Sequence, residues 1–420
     1  MSRRWAALAS VGLVATVLVG SASGQATSGT HSCLWTLQSN PDTGNVAYPD
    51  TAATYWGLQI LLPPGSALLL HGQFPHARYM SYNIYDPQLQ PIGALADAAI
   101  KADPGSTNPF VAGARRDAPK RSYTMWVAAA TAPAHPAANT IYAGSVALVN
   151  LLYRVYVPDR SRDLSGDAGL ASLSLRLLTG SVVPLPEACR ARPYLAAPAN
   201  STYASVNGPP GVGGDPQDPV QWHAFFNAPY SIYQSRLQDT PVGPLLGGVI
   251  PASKTGGFLS NSDNAYVTAL VPRTPGEVVV LTGKAPTTTQ TLNGERVMGS
   301  GQLRYWSMCE NDQVSQRVVA CVFDQQVPLD SSGRYRIVVS SPADRPANAT
   351  AECGFVWLPW GAQPDAQLIL RNMLPAKTFA HALQRIQKPG TEKQVVGEYL
   401  PRGIKVATAS FEKQGCTTHR

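Results

Sequence analysis

The sequence predicts a mainly β protein built as two tandem β-sandwich or jelly-roll-like repeats with a few short helices. Three observations carry this reading. The 36 Gly and 36 Pro among 420 residues interrupt the chain too often for long helices. Short apolar runs bounded by turn residues recur along its length, as sandwiches require. A set of sequence blocks also occurs twice in the same order, and a length of 420 residues suits two domains of ordinary size.

The chain opens Met-Ser-Arg-Arg-Trp, runs through a mostly apolar stretch from Ala6 to Gly20, and continues in small residues to Ala26. Basic, apolar and small in that order is the pattern of an export signal, so residues 1–26 are expected to be a signal peptide. The apolar stretch is short for a membrane span, and no other segment offers about 18 uninterrupted apolar residues. No transmembrane segment is therefore expected after signal removal, and the protein is expected to be secreted or associated with the cell envelope. Six cysteines form an even set, Cys33, Cys189, Cys309, Cys321, Cys353 and Cys416, which in an exported chain reads as disulfides. Cys309 and Cys321 are the pair expected to bond, because the residues between them can form a hairpin. The remaining pairings stay open. The formal charge of +7 includes Arg3 and Arg4 of the signal. No basic run with interleaved aromatics appears, so a nucleic-acid partner is not expected.

The repeat is read block by block. YWGLQILLPPGSALLLHGQFP from Tyr55 to Pro75 aligns without a gap on YVTALVPRTPGEVVVLTGKAP from Tyr266 to Pro286. Both contain a Pro-Gly turn, an aliphatic run ending in Leu70 or Leu281, and a Gly-x-x-Pro. Downstream, Arg78-Tyr79-Met80-Ser81 and Asp86 match Arg304-Tyr305-Trp306-Ser307 and Asp312. Arg121 to Asn139 resembles Gly333 to Asn348, and LLYRVYVP from Leu151 resembles LILRNMLP from Leu368. The aliphatic runs read as buried strands, and the alternation of Leu173, Leu175 and Leu177 with Ser172, Ser174 and Arg176 reads as a strand with one wet face. The expected organisation is a first repeat over 27–195, a linker with an aromatic-rich helical segment over 196–254, and a second repeat with a short C-terminal helix and tail over 255–420. Helices are expected at Trp222 to Leu237 and at Ala376 to Ile386, where apolar residues fall at helical spacing.

Familiar catalytic signatures are absent: no Gly-x-Ser-x-Gly, P-loop, Rossmann fingerprint or His-Glu-x-x-His occurs. Arg78 and Asp86 flank an aromatic strand, and their duplication as Arg304 and Asp312 favours an architectural role. Asp159, Asp163 and Asp167 recur every four residues in a loop. No cofactor signature is present and calcium at these carboxylates is the one candidate ion, although interleaved Arg160 and Arg162 favour a solvated loop. His71, His76 and His135 occur in the first repeat, where a base or ligand set would stand out by asymmetry, but their separation carries no metal-ligand spacing. Aromatic Trp222, Phe225, Phe226, Tyr230 and Tyr233 would stack on a sugar, line an apolar site, or dock on a domain. The candidate ligand-binding residues are His71, His76, Arg78, Asp86 and Trp222.

The blocks GGFLSNSDNAYV (256–267), QLRYWSMCEND (302–312), DRPANATAECGFVWLPWG (344–361) and LILRNMLP (368–375) resemble an uncharacterised family of secreted bacterial proteins with duplicated β-sandwich repeats. That resemblance implies export and the duplicated fold, and transfers no catalytic residue. Two readings of function follow. One is a non-catalytic binding or structural module whose partner is a cell-envelope glycan or a small apolar ligand. The other is an extracytoplasmic hydrolase or lyase acting on a glycan or ester, which requires His71, His76 and Asp86 to converge on one pocket.

Overall fold

The computed structural model describes residues 34–185, 220–254, 259–313 and 315–416. The signal expected at 1–26, and Cys33 and Cys189, lie outside the described residues. In the first half the strands are β1 (Leu37–Ser39), β2 (Ala53–Leu61), β3 (Ala67–Gln73), β4 (Ala77–Tyr85), β5 (Pro91–Ala96), β6 (Ser122–Ala128), β7 (Thr140–Tyr142), β8 (Leu148–Pro158), β9 (Ser172–Arg176) and β10 (Val182–Pro184). In the second half they are β11 (His223–Ala224), β12 (Asn264–Pro272), β13 (Glu277–Lys284), β14 (Tyr305–Asn311), β15 (Val318–Phe323), β16 (Arg334–Ser340), β17 (Val356–Pro359), β18 (Asp365–Met373) and β19 (Arg402–Ala407).

Four sheets pair as two sandwiches, and the duplication is visible in their topology. The sheet β1-β2-β8-β4-β5 is matched strand for strand by β11-β12-β18-β14-β15. The sheet β10-β9-β3-β6-β7 is matched by β19-β13-β16-β17, lacking only the β10 edge. Even the unusual parallel pairing of β6 with β7 recurs between β16 and β17. The register is kept as well: Tyr55 faces Arg154 across β2 and β8, and Tyr266 faces Arg371 across β12 and β18.

Each sandwich buries the inward faces of its two sheets. In the first, Leu68, Leu70, Met125 and Val127 meet Tyr82, Ile84 and Val155. In the second, Leu281, Ile337 and Val339 meet Trp306, Met308 and Leu368. The punctuating residues of the repeat have a steric cause. Gly65 and Gly276 take φ of 77° and 78° in the Pro-Gly turns, a conformation that costs any residue with a Cβ. Gly72 and Gly283 lie beneath Tyr123 and Tyr335, whose hydroxyls would stand 2.5 and 2.6 Å from an added Cβ.

Cys309 and Cys321 face one another across β14 and β15 and are bonded. A second disulfide joins Cys353 to Cys416. Disulfides of this kind persist in oxidising compartments, so the two bonds suggest an extracytoplasmic location. No helix among the described residues is long and apolar enough to cross a membrane.

Two helical expectations are corrected. Ala376 to Ile386 is a chain of tight turns with a single 3-10 turn at Leu383–Arg385. Phe379, Ala382, Leu383 and Ile386 are buried, so the apolar spacing marked burial instead of helix. Asn372 Oδ1 accepts the Leu383 N–H at 3.3 Å, and the Gln384 side chain donates to the Asn372 carbonyl, taking the segment's polar groups to the sheet. Trp222 to Leu237 is not one helix either. His223–Ala224 adds an edge strand to β12, and the helix begins only at Ala228, where Asn227 caps the Tyr230 N–H at 2.9 Å and Pro229 needs no partner for its nitrogen. It widens into a π turn over Tyr233–Leu237.

Candidate functional site

The two halves meet on the outward faces of β4, β8, β14 and β18, and their duplicated residues reach across to the opposite copy. Arg78, at the start of β4, donates to Asp324 of the second half at 2.5 Å and also engages Gln325 and Thr291. Its counterpart Arg304 pairs with Asp97 of the first half at 3.3 Å. Asp97 and Asp324 occupy equivalent short 3-10 turns after β5 and β15. Tyr79 donates to Asp263 at 2.6 Å, and Tyr305 donates to Asp50 at 2.8 Å. Tyr79, Tyr156, Tyr305, Phe323 and Met373 fill the space between these pairs as a separate core.

Burial governs the electrostatics of this seam. Asp97 is pushed up to about 6 by burial, against the opposing pull of Arg304 and the Met80 and Ala98 N–H groups. Burial also raises Asp324, against Arg78. The tyrosines Tyr79, Tyr156 and Tyr305 are pushed well up by the same cause, which keeps them as neutral hydrogen-bond donors.

Main-chain straps add to the crossing. Asn45 of the first half mimics a strand partner for Val318, exchanging two hydrogen bonds of 2.8 Å. Tyr48 N–H donates to the Gln316 carbonyl, and the equivalent Leu259 N–H of the second half donates to Leu89. Tyr48, Gln316, Leu259 and Leu89 all have positive φ. Because both copies keep that strained geometry, it belongs to the scaffold.

One arginine in each copy lies in the middle of its apolar strand, Arg154 on β8 and Arg371 on β18, both 2% exposed. Arg371 donates to Asp50 at 2.5 Å, to Ser307 at 2.9 Å and to the Tyr48 carbonyl at 3.2 Å, and lies 5.3 Å from the Tyr266 ring centroid. Its Nη1 is 3.4 Å from Cys309 Sγ, so the disulfide underlies the same group. Beside Arg371 a cavity of about 80 Å³ opens on the outward face of β12 and β18. Its wall includes Ala47 and Tyr48 from the first half, Phe225 and Ala228, and Tyr266 and Ile369 from the second sandwich. Ser260, Thr268, Gln316 and Arg371 are polar residues of that wall. Arg371 Nε is buried without a hydrogen-bond partner.

The candidate residues named from sequence do not come together. His71 lies on β3 with a half-exposed side chain, bonded to Thr124 and 3.6 Å from Asp103. His76 lies against Arg121, and is pushed down to about 4 by burial and by Arg121, Arg162 and Arg116. It is neutral and weakly basic at physiological pH. Asp86 follows the far end of β4 from Arg78 and spends its carboxylate on the N–H groups of Gln88 and Gln90, so the pair does not close one strand end. Trp222 is 7% exposed and belongs to the second core, not to a ligand face. His135 is on an exposed loop. In the acidic loop, Asp159 is taken by Arg116, Asp167 by Arg162, and Asp163 by the loop's own N–H groups and Ser165.

Asp50, Asp97 and Asp324 were not singled out from sequence, and of the cavity wall only Phe225 was named as able to line a site. One signal did point to them: a charged residue in the middle of an apolar strand, in both LLYRVYVP and LILRNMLP, needs a buried partner.

Four sheets paired as two sandwiches, repeated in topology and register, define a mainly β protein with an internal duplication. No protein-family model matches the chain, and no curated protein matches it in sequence. Among solved structures it is similar to an uncharacterised protein of Burkholderia cenocepacia, over 90% of this chain and 84% of that one, at 12% identity and a TM-score of 0.49. It is also similar to a Vibrio parahaemolyticus protein, over 81% and 89%, at 13% identity and a TM-score of 0.39. Neither likeness bears on function.

Proposed function

We propose that this protein is an exported, non-catalytic binding module of the cell envelope, with its ligand site in the cavity beside Arg371. One observation carries the reading: the arginines shared by both copies are spent on locking the halves together, while the cavity borders Thr268, where the copies differ. At the place equivalent to Thr268 the first copy has Gly57, and Leu37 packs over it, within 2.8 Å of where a Cβ would stand. In the second copy His223 pairs with Thr268 as Leu37 pairs with Gly57, and Thr268 lines the cavity.

The hydrolase or lyase reading requires an acid and a base facing one site. His71, His76 and Asp86 have separate neighbours and share none, which favours binding over catalysis. Between the two ligand classes, the cavity's volume of about 80 Å³ favours a small molecule over a glycan.

Fractionation of the producing cells tests the location: the mature protein should appear outside the cytoplasm with its cysteines oxidised. A thermal-shift screen of oligosaccharides against small apolar compounds tests the site, because a ligand selective for the folded state raises Tm by mass action. Stabilisation by oligosaccharides alone would overturn the choice of ligand.

A further inference from the structure

We infer that the segment 241–251 is a membrane-contacting tip, whose apolar side chains enter the headgroup layer of an anionic bilayer while basic residues beside it meet the lipid phosphates. The tip shares no residue with the cavity wall and goes beyond the ligand reading. From Thr240 to Ser253 the chain carries no charged side chain, and Val242, Leu245 and Val249 are 49%, 74% and 75% exposed. Apolar surface left in water in this way gains on entering the boundary between headgroups and acyl chains.

The backbone holds those side chains outward. Gly243 N–H donates to the Thr240 carbonyl at 2.9 Å at the entry to the short helix Gly243–Gly247, and the Val249 and Ile250 N–H groups return to the Leu246 carbonyl at 2.9 and 3.0 Å. Asn227 Nδ2 pins the exit by donating to the Pro251 and Ser253 carbonyls at 3.0 and 2.9 Å. On the inner side Gly247 lies against buried Tyr233, whose hydroxyl would stand 2.5 Å from an added Cβ.

Charge names the partner. The rings of Tyr233, Tyr230 and Phe226 run in contact from beneath Gly247 to Lys254, which donates to Gln387 at 3.3 Å. Gln387 belongs to the segment 376–394, where Lys377, Arg385, Lys388 and Lys393 are exposed. The acids of 238–254 and 376–394 are exposed Asp239 and buried Glu392, whose carboxylate accepts the Ala224 N–H at 2.9 Å. Exposed cations therefore outnumber exposed carboxylates, and a rim of that sign repels the same rim on a second copy but complements lipid phosphates. Three exposed apolar side chains also fall far short of the roughly 20 residues a side of a stable protein interface, whereas peripheral membrane binding adds a modest apolar area to electrostatic attraction.

Flotation of the mature protein with vesicles of phosphatidylcholine, with and without phosphatidylglycerol, tests the inference. Binding to the phosphatidylglycerol vesicles should be about tenfold or more the stronger and should weaken as salt rises. The double variant Leu245→Ser, Val249→Ser changes only exposed side chains, so its thermal midpoint should hold while its vesicle binding falls about tenfold or more. Lys254→Gln with Lys388→Gln should weaken binding several-fold and flatten its salt dependence. No binding to phosphatidylglycerol vesicles, or binding that survives the loss of Leu245 and Val249, would overturn the tip. Equal binding to both vesicle types would overturn the anionic partner. A dimer in sedimentation that the Leu245→Ser, Val249→Ser variant dissolves would overturn the bilayer in favour of a second copy.

Discussion

The buried carboxyl of Asp97 makes the seam's contribution to stability depend on pH, with a sign that can be worked out. Asp97 accepts hydrogen bonds from Met80 N–H at 3.0 Å and Ala98 N–H at 2.5 Å and pairs with Arg304 at 3.3 Å, yet burial still lifts it from 3.8 to about 6. A carboxyl whose folded pKa lies above its unfolded value is penalised on ionising. Its contribution is therefore full below about pH 3.8 and is lost as the pH rises through about 6. At about 1.4 kcal/mol per unit the whole change is about 3 kcal/mol, of which about 2 falls between pH 4 and pH 7. Asp97→Asn keeps the shape and cannot ionise. It also loses acceptor capacity toward Ala98 and Arg304, a cost of about 1–3 kcal/mol at any pH. Urea unfolding of wild type and variant at both pH values separates the two effects, because other buried acids such as Asp324 titrate in both proteins and cancel. The variant's deficit should be about 2 kcal/mol smaller at pH 7 than at pH 4. A deficit that grows toward pH 7 would show that Arg304 outweighs burial and would refute the reasoning.

Three further perturbations probe the scaffold. Arg78→Met leaves Asp324 buried without its cation and should cost about 3–5 kcal/mol in urea unfolding, while Arg78→Met with Asp324→Leu should recover more than half of that; strict additivity of the two changes would argue against a direct pair. Replacing Cys309 and Cys321 by Ser opens a loop of 12-residue separation and should cost about 3 kcal/mol, read as a lower denaturation midpoint that reductant no longer changes at this bond. Gly72→Ala and Gly283→Ala should each cost about 1–3 kcal/mol by forcing Tyr123 or Tyr335 aside, and unchanged midpoints would show that those rings have room to move.

Much of the fold was legible because the repeat is punctuated by residues with steric duties. The aligned Pro-Gly and Gly-x-x-Pro positions became the turns at Gly65 and Gly276 and the ring-covered glycines Gly72 and Gly283. The partners of the shared arginines were not legible. Alignment gave Arg78 and Arg304 a common role, but Asp97 and Asp324 lie in three-residue turns with no sequence signature and belong to the opposite copy. Asp86 was paired with Arg78 by proximity in sequence, although they lie at opposite ends of a nine-residue strand. The cavity was harder still, because a gap in packing is made by residues that are absent: no local pattern tells that Leu37 covers Gly57 while Thr268 borders open space.

The crossed contacts have the form of an isologous interface, in which residue i of one copy meets residue j of the other and the reverse also holds. In a symmetric dimer a change at one position appears at both. Covalent linkage removes that constraint, so each copy can be altered while its twin keeps the lock intact. The second copy carries its alterations on one sheet. Cys309 stands where the first has Asn83 and supplies the disulfide that touches Arg371. Glu310, pushed up to about 8 by burial, stands where the first has the core residue Ile84. Thr268 replaces Gly57 at the cavity wall. These three positions occupy the same sheet, β11-β12-β18-β14-β15. The first copy keeps Tyr79, Arg78 and Asp97 as the other half of the clasp, holding that sheet's outward face against a fixed partner. The cavity beside Arg371 takes its wall from both copies, Tyr266, Thr268, Ile369 and Arg371 from strands of the second and Ala47 and Tyr48 from the first, so the clasp that joins the copies also fixes its shape.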